Sequence, residues 1–281
     1  MALSDRPFRM SLPVVLTIAG SDSGGGAGIQ ADLKTFQALG CYGTTAITAI
    51  TCQNTTGVSA VQAIDPDIVA GQLRDVLIDL PVKAAKTGML FSRDIMDAVR
   101  NTWKKYAEKQ ALIVDPVMVA SSGDRLLEPD AEDALIEFLN EATLITPNLP
   151  EAEVILNESI GDLEEMKVAA KKLHEQTGAA VLLKGGHRLS ESSSNNKVTD
   201  VFFQGESLEV LEYPLYPEKN THGTGCTLSA GIAAGMARDL DLASAVQLAR
   251  KFIDGAIKNA PGLGAGTGPL NHLWNQTLTG P

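Results

Sequence analysis

Short apolar runs rich in β-branched residues alternate with longer amphipathic segments along most of the chain. The first run, 14–19, ends in a glycine and predicts a buried strand. Apolar residues then recur at helical spacing through 29–39, and Gly40 ends that predicted helix. The further predicted strands are 44–51, 58–64, 83–86, 111–114, 142–145, 179–183, 198–203 and 207–213. The further predicted helices are 65–80, a segment from Ser92 past Trp103, 129–140, a short helix ending at Leu156, 162–176, 226–238 and 241–259.

This alternation predicts an α/β fold in which a mostly parallel sheet is covered by helices on both faces. The short connection between the last two predicted strands, 198–203 and 207–213, predicts a small hairpin at the edge of the sheet. No composition break marks a second domain, so we expect a single domain over 1–281, with 1–12 as a loose polar arm. The low-complexity stretch 190–197 is predicted to be a mobile hairpin loop, and 261–268 a flexible turn. In such folds ligands bind beyond the carboxyl ends of the strands.

Charge and composition exclude several classes of function. The net charge of −11 and the pI near 4.8 argue against a nucleic-acid surface. A phosphate ligand would have to be held by local amides and a few lysines, because the overall field repels it. The three cysteines form no C-x-x-C pair, and neither a signal core nor a membrane-spanning run is present. We therefore expect a cytoplasmic protein without membrane contact.

The stretch 220–227 is the strongest candidate for chemistry. Gly223 and Gly225 remove the Cβ atoms that would keep a ligand from the backbone, and an apolar, small-residue helix follows. The amides that open a helix are unpaired donors with partial positive charge, which suits an anion. The same field would lower the pKa of the Cys226 thiol and favour the thiolate. The alternative interpretation is a glycine turn that lets a helix pack closely on the sheet.

Several polar side chains follow predicted strands and should meet at one edge of the sheet. Asp115, Asn148 and Glu151 would offer oxygen ligands that suit a water-rich Mg²⁺ better than zinc or calcium. Asp115 could instead be a turn residue, and Glu151 could simply complement a helix N-terminus. Lys184 directly follows an apolar strand, so it is either a phosphate contact or the first exposed position. Met89 fits a core position as well as a ligand-facing one, as does Val117.

Two nucleotide-binding motifs are weak or absent. The segment 26–31 fits the dinucleotide pattern G-x-G-x-x-G/A, but no acidic residue occurs where the ribose partner is expected, at 46–52. No Gly-Lys dipeptide exists, so a phosphate-loop lysine motif is missing.

With these segments in order, the chain resembles the hydroxymethylpyrimidine/phosphomethylpyrimidine kinases of thiamine biosynthesis, in the ribokinase-like superfamily. The resemblance runs from Leu16 to about Leu270, and the joint order of its motifs is more specific than any one of them. Its carriers are 16–22, 25–36, Gln53-Asn54-Thr55, 86–90, Asp115-Pro116-Val117-Met118, 146–151, 184–187 and 220–227. It implies a three-layer α/β/α sandwich and a homodimer.

The resemblance also implies an activity: ATP- and Mg²⁺-dependent phosphorylation of 4-amino-5-hydroxymethyl-2-methylpyrimidine, then of its monophosphate. It implies these site residues: Gln53, Asp32, Ala27, Met89 and Val117 around the pyrimidine; Asp115 and Glu151 at the metal; Lys184, Thr221 and Asn148 toward ATP; and Gly223, Thr224 and Gly225 as the anion hole, with Cys226 as the base. Sugar-kinase relatives carry Asp at the position of Cys226, which makes a sugar kinase the least favoured alternative. The family often has a lysine in the loop that here reads 120–124, so a phosphate contact is weakened or passes to Arg125.

Two other functions stay open from the sequence. A pyridoxal or pyridoxine kinase shares the scaffold and acts on a similar ring alcohol, and Gln53 favours the aminopyrimidine only mildly. A pyrimidine-binding protein that has lost transfer would keep the pocket, but the joint presence of Asp115, Glu151, Lys184 and Cys226 argues against it.

Overall fold

The computed structural model describes residues 12–119, 123–128, 130–186, 197–216 and 220–276. The predicted arm, except for its last residue, and nearly all of the predicted loop 190–197 lie outside these ranges. The strands are β1 (Val14–Asp22), β2 (Tyr42–Asn54), β3 (Gly57–Ala63), β4 (Val82–Thr87), β5 (Ala111–Val114), β6 (Leu144–Ile145), β7 (Ala180–Lys184), β8 (Lys197–Gln204) and β9 (Ser207–Pro214). The helices are α1 (Gly28–Ala38), α2 (Pro66–Asp79), α3 (Arg93–Tyr106), α4 (Glu132–Phe138), α5 (Leu149–Leu156), α6 (Leu163–Thr177), α7 (Thr224–Ala237) and α8 (Leu242–Lys258).

Within the described residues, all nine strands form one sheet in the order β3-β2-β1-β4-β5-β6-β7-β8-β9. The six central strands, from β2 to β7, are parallel to one another. The outer strands are antiparallel: β3 pairs with β2 at one edge, and β8 and β9 extend the other. The predicted mostly parallel sheet with an edge hairpin is confirmed.

The sheet separates two apolar layers, because successive side chains of a strand point to opposite faces. Leu16 and Ile18 of β1 face the layer formed by α2 to α6, whereas Val15 faces α1, α7 and α8. The three-layer α/β/α sandwich implied by the ribokinase-like resemblance is therefore confirmed. In the described part of the chain, no helix is both long and apolar enough to cross a membrane.

Small residues let α7 pack closely on α8, in agreement with the predicted apolar, small-residue helix. A Cβ atom built at Gly231 would lie 2.9 Å from the Cβ of Ala249, and one built at Gly235 would lie 2.8 Å from that of Ala245. Helix α7 thus lies deep between the sheet and α8, which anchors its N-terminus at the carboxyl edge of the parallel strands.

Strand β2 continues beyond the predicted end at residue 51. Its last residues pair with β3, with Gln53 opposite Val58 and Asn54 opposite Gly57. The antiparallel partner supplies hydrogen bonds after the parallel partner β1 has ended, so the strand persists. Gln53 therefore projects from a paired strand rather than from a loop.

Candidate active site

The N-terminus of α7 forms a backbone cradle. Its N-cap, Gly223, has a φ of 84°, and a Cβ atom there would overlap the carbonyl oxygen of Gly26. The hydroxyl of Thr224 donates to the Thr221 carbonyl at 2.7 Å. Helix α7 begins two residues before the predicted start at 226, so the amides of its first turn are those of 224–226. Such amides have no carbonyl partner within the helix. The Thr224 amide donates to the Thr221 carbonyl at 3.2 Å, outside the helix, so the amides of Gly225 and Cys226 are the ones left for an anion.

Cys226 lies in this first turn, and it is neither sealed in the core nor fully exposed. Burial raises the pKa of the Cys226 thiol to about 11, although the ammonium group of Lys86 favours the thiolate and the Gly28 amide donates to the sulfur. The predicted lowering of this pKa is therefore wrong. Desolvation of the sulfur, with the negative charges of Asp32 and Asp115, outweighs the positive charge of Lys86.

Asp115 and Lys184 form an ion pair against the cradle. One oxygen of Asp115, Oδ1, accepts from Lys184 Nζ at 3.0 Å and from the Thr146 hydroxyl at 3.0 Å. A Cβ atom at Gly225 would lie 3.3 Å from Asp115 Oδ2 and 3.6 Å from Lys184 Nζ. The second carboxylate oxygen therefore faces the start of α7, where glycine leaves room.

Asn148 and Glu151 begin helix α5 with a capping box. The Glu151 amide donates to Asn148 Oδ1 at 2.8 Å, and the Asn148 amide donates to Glu151 Oε2 at 2.8 Å. The helix-terminus interpretation of Glu151 is thus confirmed, but its carboxylate also faces the ion pair. Burial raises the pKa of Glu151 to about 7; Lys184 opposes this rise and Asp115 adds to it.

The part of the site that the resemblance assigns to the pyrimidine is apolar with one amide. Met89 packs with Ala49 and Leu126, and Val117 borders this small cluster. Gln53 Oε1 accepts from the Thr51 hydroxyl at 3.0 Å. That bond orients the side-chain amide of Gln53, whose N–H groups are the natural donors for a ring nitrogen.

Asp32 does not belong to the surface of the site. It is fully buried behind it, where its carboxylate pairs with Lys86 Nζ at 3.1 Å and accepts from the Thr17 hydroxyl at 2.6 Å. Asp32 therefore lies behind the residues that line the cavity, and its implied place around the pyrimidine stays a prediction. Burial alone would lower the pKa of Lys86, because it disfavours the charged form. The negative charge of Asp32 outweighs this effect, so the pKa of Lys86 is raised.

One cavity of ≈ 370 Å³ joins these groups. Every predicted site residue except Asp32 lines it: Ala27, Gln53, Met89, Asp115, Val117, Asn148, Glu151, Lys184, Thr221, Gly223, Thr224, Gly225 and Cys226. It also contains residues that the sequence analysis missed: Asp22, His222, Asp200, Tyr213, Arg250 and Asp254. Four of these residues, Asp200, Tyr213, Arg250 and Asp254, form one end of the cavity, away from Gln53. There the Arg250 guanidinium lies 4.7 Å above the Tyr213 ring and pairs with Asp200. The sequence did contain one indication of these residues, because Arg250 interrupts the apolar face of α8.

The loop that departs from the family pattern is only partly described. Residues 120–122 lie outside the described ranges. Arg125 does not line the cavity, and its guanidinium pairs with Glu132 at 2.6 Å and donates to the Leu127 carbonyl at 2.8 Å. This arrangement does not support Arg125 as the phosphate contact, and that alternative stays a prediction.

The residues present fit a loosely held Mg²⁺ rather than a metal enclosed by protein ligands. Among the described residues, no group of three or more His, Cys, Asp or Glu side chains is placed to hold a metal. Asp115 and Glu151 are two neighbouring carboxylates beside one lysine; burial is the main cause of the raised pKa of Glu151, and the negative charge of Asp115 adds to it. Mg²⁺ commonly uses one or two carboxylates, with water and substrate phosphates filling its other positions.

Comparison with known proteins agrees with this geometry. A family model described as phosphomethylpyrimidine kinase matches residues 22–271. A hydroxymethylpyrimidine/phosphomethylpyrimidine kinase from Rhizobium meliloti is 48% identical, over 92% of this chain and 97% of its own length. A thiamine biosynthesis bifunctional protein from Geobacter sulfurreducens is 46% identical, over 92% of this chain and 52% of its own. A Staphylococcus aureus pyridoxal kinase, solved with AMP-PCP and pyridoxal, superposes with a TM-score of 0.83 at 35% identity, over 93% of this chain and 94% of its own. The chain belongs to the phosphomethylpyrimidine kinase family.

Proposed function

We propose that this chain is an ATP- and Mg²⁺-dependent kinase, acting as a single domain. It phosphorylates the hydroxymethyl group of 4-amino-5-hydroxymethyl-2-methylpyrimidine and then the resulting monophosphate, in thiamine biosynthesis. The observation that carries the proposal is one cavity that contains an apolar wall with an oriented amide, a helix-terminal amide cradle and a carboxylate–lysine pair. The names of the relatives support the same reaction.

The residues divide the work of in-line transfer among them. Gln53, Met89, Val117 and Ala27 hold the ring so that the alcohol faces the start of α7. The alcohol oxygen bonds to the γ-phosphorus while the bond from phosphorus to the bridging oxygen breaks, and ADP leaves. The alcohol proton passes to the Cys226 sulfur, which must be a thiolate to accept it.

The remaining groups stabilise charge in that transfer. The amides of Gly225 and Cys226, in the anion hole that begins at Gly223 and Thr224, meet the equatorial oxygens of the moving phosphoryl group, as expected where positioning and electrostatics dominate. Asp115 and Glu151 would hold Mg²⁺, which neutralises phosphate charge when bound. The three residues Lys184, Thr221 and Asn148 complete the phosphate side of the cavity.

A substrate panel tests this proposal. Purified protein with ATP and Mg²⁺ is given the hydroxymethylpyrimidine, its monophosphate, pyridoxine, pyridoxal or ribose, and ADP release is measured for each. We expect the highest kcat/KM for the two pyrimidines. Ribose as the best acceptor would overturn the assignment, and ADP release with none of them would favour a binding protein without transfer.

A pyridoxal or pyridoxine kinase is the second candidate. The match to a pyridoxal kinase solved with pyridoxal favours it, because similar scaffolds accept either ring. The side chain that discriminates is Gln53, whose amide suits an aminopyrimidine edge. Replacing it by Leu should lower kcat/KM for the pyrimidine more than for pyridoxine, and the reverse order would support the second candidate.

We also propose a cytoplasmic homodimer. Cys41, Cys52 and Cys226 are all free thiols, which suits a reducing compartment. The family resemblance supports pairing of two copies, and sedimentation at micromolar concentration tests it.

A further inference from the structure

Asp22, at the end of β1, links two loops that line the cavity. Its carboxylate accepts from the amides of Gly24 at 2.7 Å, Gly26 at 3.0 Å and Ala27 at 2.8 Å, all within its own loop. Its fourth partner is distant in sequence: His222 Nε2 lies 2.9 Å from Asp22 Oδ2. The first three bonds shape the loop before α1, and the fourth ties that loop to the residue preceding the α7 cradle.

The backbones of the two loops also interlock. A Cβ atom at Gly26 would overlap the His222 ring, and a Cβ atom at Gly223 would overlap the carbonyl oxygen of Gly26. On its other side, the His222 amide donates to the Gly268 carbonyl at 3.1 Å. His222 is therefore clamped between two segments, with its ring fixed toward Asp22.

Both side chains of this pair are almost completely buried: 3% of Asp22 and 7% of His222 is exposed. Burial alone would raise the pKa of Asp22. The hydrogen bonds from His222 and from the Ala27 and Gly24 amides outweigh this effect, so the pKa of Asp22 lies below its usual value. The aspartate is thus ionised over the working pH range. The hydrogen bond from the imidazole N–H to this carboxylate is charge-assisted, and such bonds are stronger than those between neutral groups.

We propose that the Asp22–His222 bond is a latch that fixes the pyrimidine wall at Ala27 relative to the phosphate cradle at the start of α7. The pair consists of positioning residues, since neither side chain is needed to contact the reacting atoms. This inference rests on the proposed function, because it concerns the distance between the alcohol and the phosphoryl group. A misplacement of about 1 Å between reacting groups can cost about 10²-fold in rate.

The latch has a kinetic signature that a general loss of stability would not give. Each half of the site keeps its own contacts when the bond is broken, so substrate binding changes little. Only the alignment of the two halves is lost. We therefore expect kcat to fall about 10- to 100-fold for both phosphorylations, while KM for ATP and for the pyrimidine stays within about threefold.

The experiment compares His222→Leu, which removes the donor, with His222→Gln, which keeps an N–H donor. The double variant Asp22→Asn/His222→Leu tests coupling. The matched control is His272→Leu, because the buried His272 ring makes a bond of the same length, 2.9 Å, to Thr227 one turn further along α7. We expect loss in His222→Leu, partial recovery in His222→Gln, and a double variant no slower than the worse single variant.

Three kinetic results would overturn the latch: additive losses in the double variant, a loss carried by KM, or an equal fall of kcat in His272→Leu. Amide hydrogen exchange gives a readout independent of kinase activity. In Asp22→Asn, exchange should rise together at 22–28 and at 221–226, and the His272 variant should leave 22–28 unchanged. A rise confined to 22–28 would reduce Asp22 to a local turn residue. Absence of kinase activity in the unmodified protein would instead refute the proposed function and leave the exchange test standing.

Discussion

Replacing Cys226 by alanine separates the two phosphorylations. In the first, the nucleophile is an alcohol that must lose a proton, and Cys226 is the proposed acceptor. In the second, the nucleophile is a phosphate oxygen, already ionised near neutral pH because the second phosphate pKa is about 6. We expect Cys226→Ala to lower kcat of the first transfer by about 10²–10⁴-fold, the range of general-base catalysis. The second transfer should fall by less than about tenfold, because it needs no base.

The pKa of the Cys226 thiol also predicts how the rates of the two transfers depend on pH. With a pKa of about 11, the thiolate fraction at pH 7 is about 10⁻⁴, which corresponds to about 5 kcal/mol at 1.36 kcal/mol per pH unit. The thiolate population, and with it kcat/KM of the first transfer, should rise about tenfold per unit between pH 7 and pH 9. The second transfer should show no such rise.

The assay measures ADP release with each pyrimidine separately, from pH 6.5 to 9.5 (about three units, over which a tenfold-per-unit rise is unmistakable). Cys41→Ala is the matched control, since Cys41 is a buried thiol whose pKa is also raised by burial, and it donates to the Ala234 carbonyl far from the reacting groups. Equal losses in both transfers, or a flat profile for the first, would refute Cys226 as the base.

Three further substitutions test the site. For Glu151, the folded pKa of about 7 exceeds the ordinary 4.5, so stability present below pH 4.5 is lost as pH rises through 7, by up to about 3 kcal/mol. Glu151→Gln should flatten this dependence and raise Tm at pH 8 while weakening Mg²⁺ activation; a lower Tm at pH 8 would contradict the sign. Gly223→Ala should lower the free energy of unfolding by more than ~2 kcal/mol in urea titration, because its Cβ would overlap Gly26; Gly178→Ala, also at positive φ but with open space around it, should cost only ~1 kcal/mol. Arg125→Ala should change KM for ATP by less than about threefold, whereas a tenfold rise in an ATP titration would show that this arginine has taken over the phosphate contact.

The order of strands and helices was predictable because five of the parallel strands, β1, β4, β5, β6 and β7, are largely buried on both faces. Such strands read as continuous apolar runs, and their boundaries are marked by Gly, Pro or Asp. The convergence of Asp115, Asn148 and Lys184 followed from the same rule, since parallel strands end at one edge of the sheet. The place of Glu151 in the first turn of α5 also followed from local spacing. Local sequence patterns were therefore sufficient to predict those site residues whose position depends directly on where a strand ends or a helix begins.

Other features depend on contacts between distant segments, which no local pattern contains. The pairing of Asp32 with Lys86 joins α1 to β4, which are far apart in the sequence; the only sequence signal was a charged residue on each apolar face. The Asp22–His222 bond joins residues 200 positions apart. The thiol pKa was mispredicted because the helix-terminal field is visible in the sequence, whereas the degree of desolvation is not.

The charges of the site explain how an acidic protein can hold a phosphate ligand. Lys86 is paired with Asp32 and Lys184 with Asp115, so neither lysine offers an uncompensated positive charge. Among the described residues, attraction for phosphate then comes from the uncharged amides that begin α7, together with cations that arrive with the nucleotide. Asp115 and Glu151 carry two carboxylates beside the one ammonium group of Lys184, and a divalent cation would offset the remaining negative charge. ATP without Mg²⁺ would add charge to an already negative site, so the metal complex, rather than the free nucleotide, is the form that this cavity should bind.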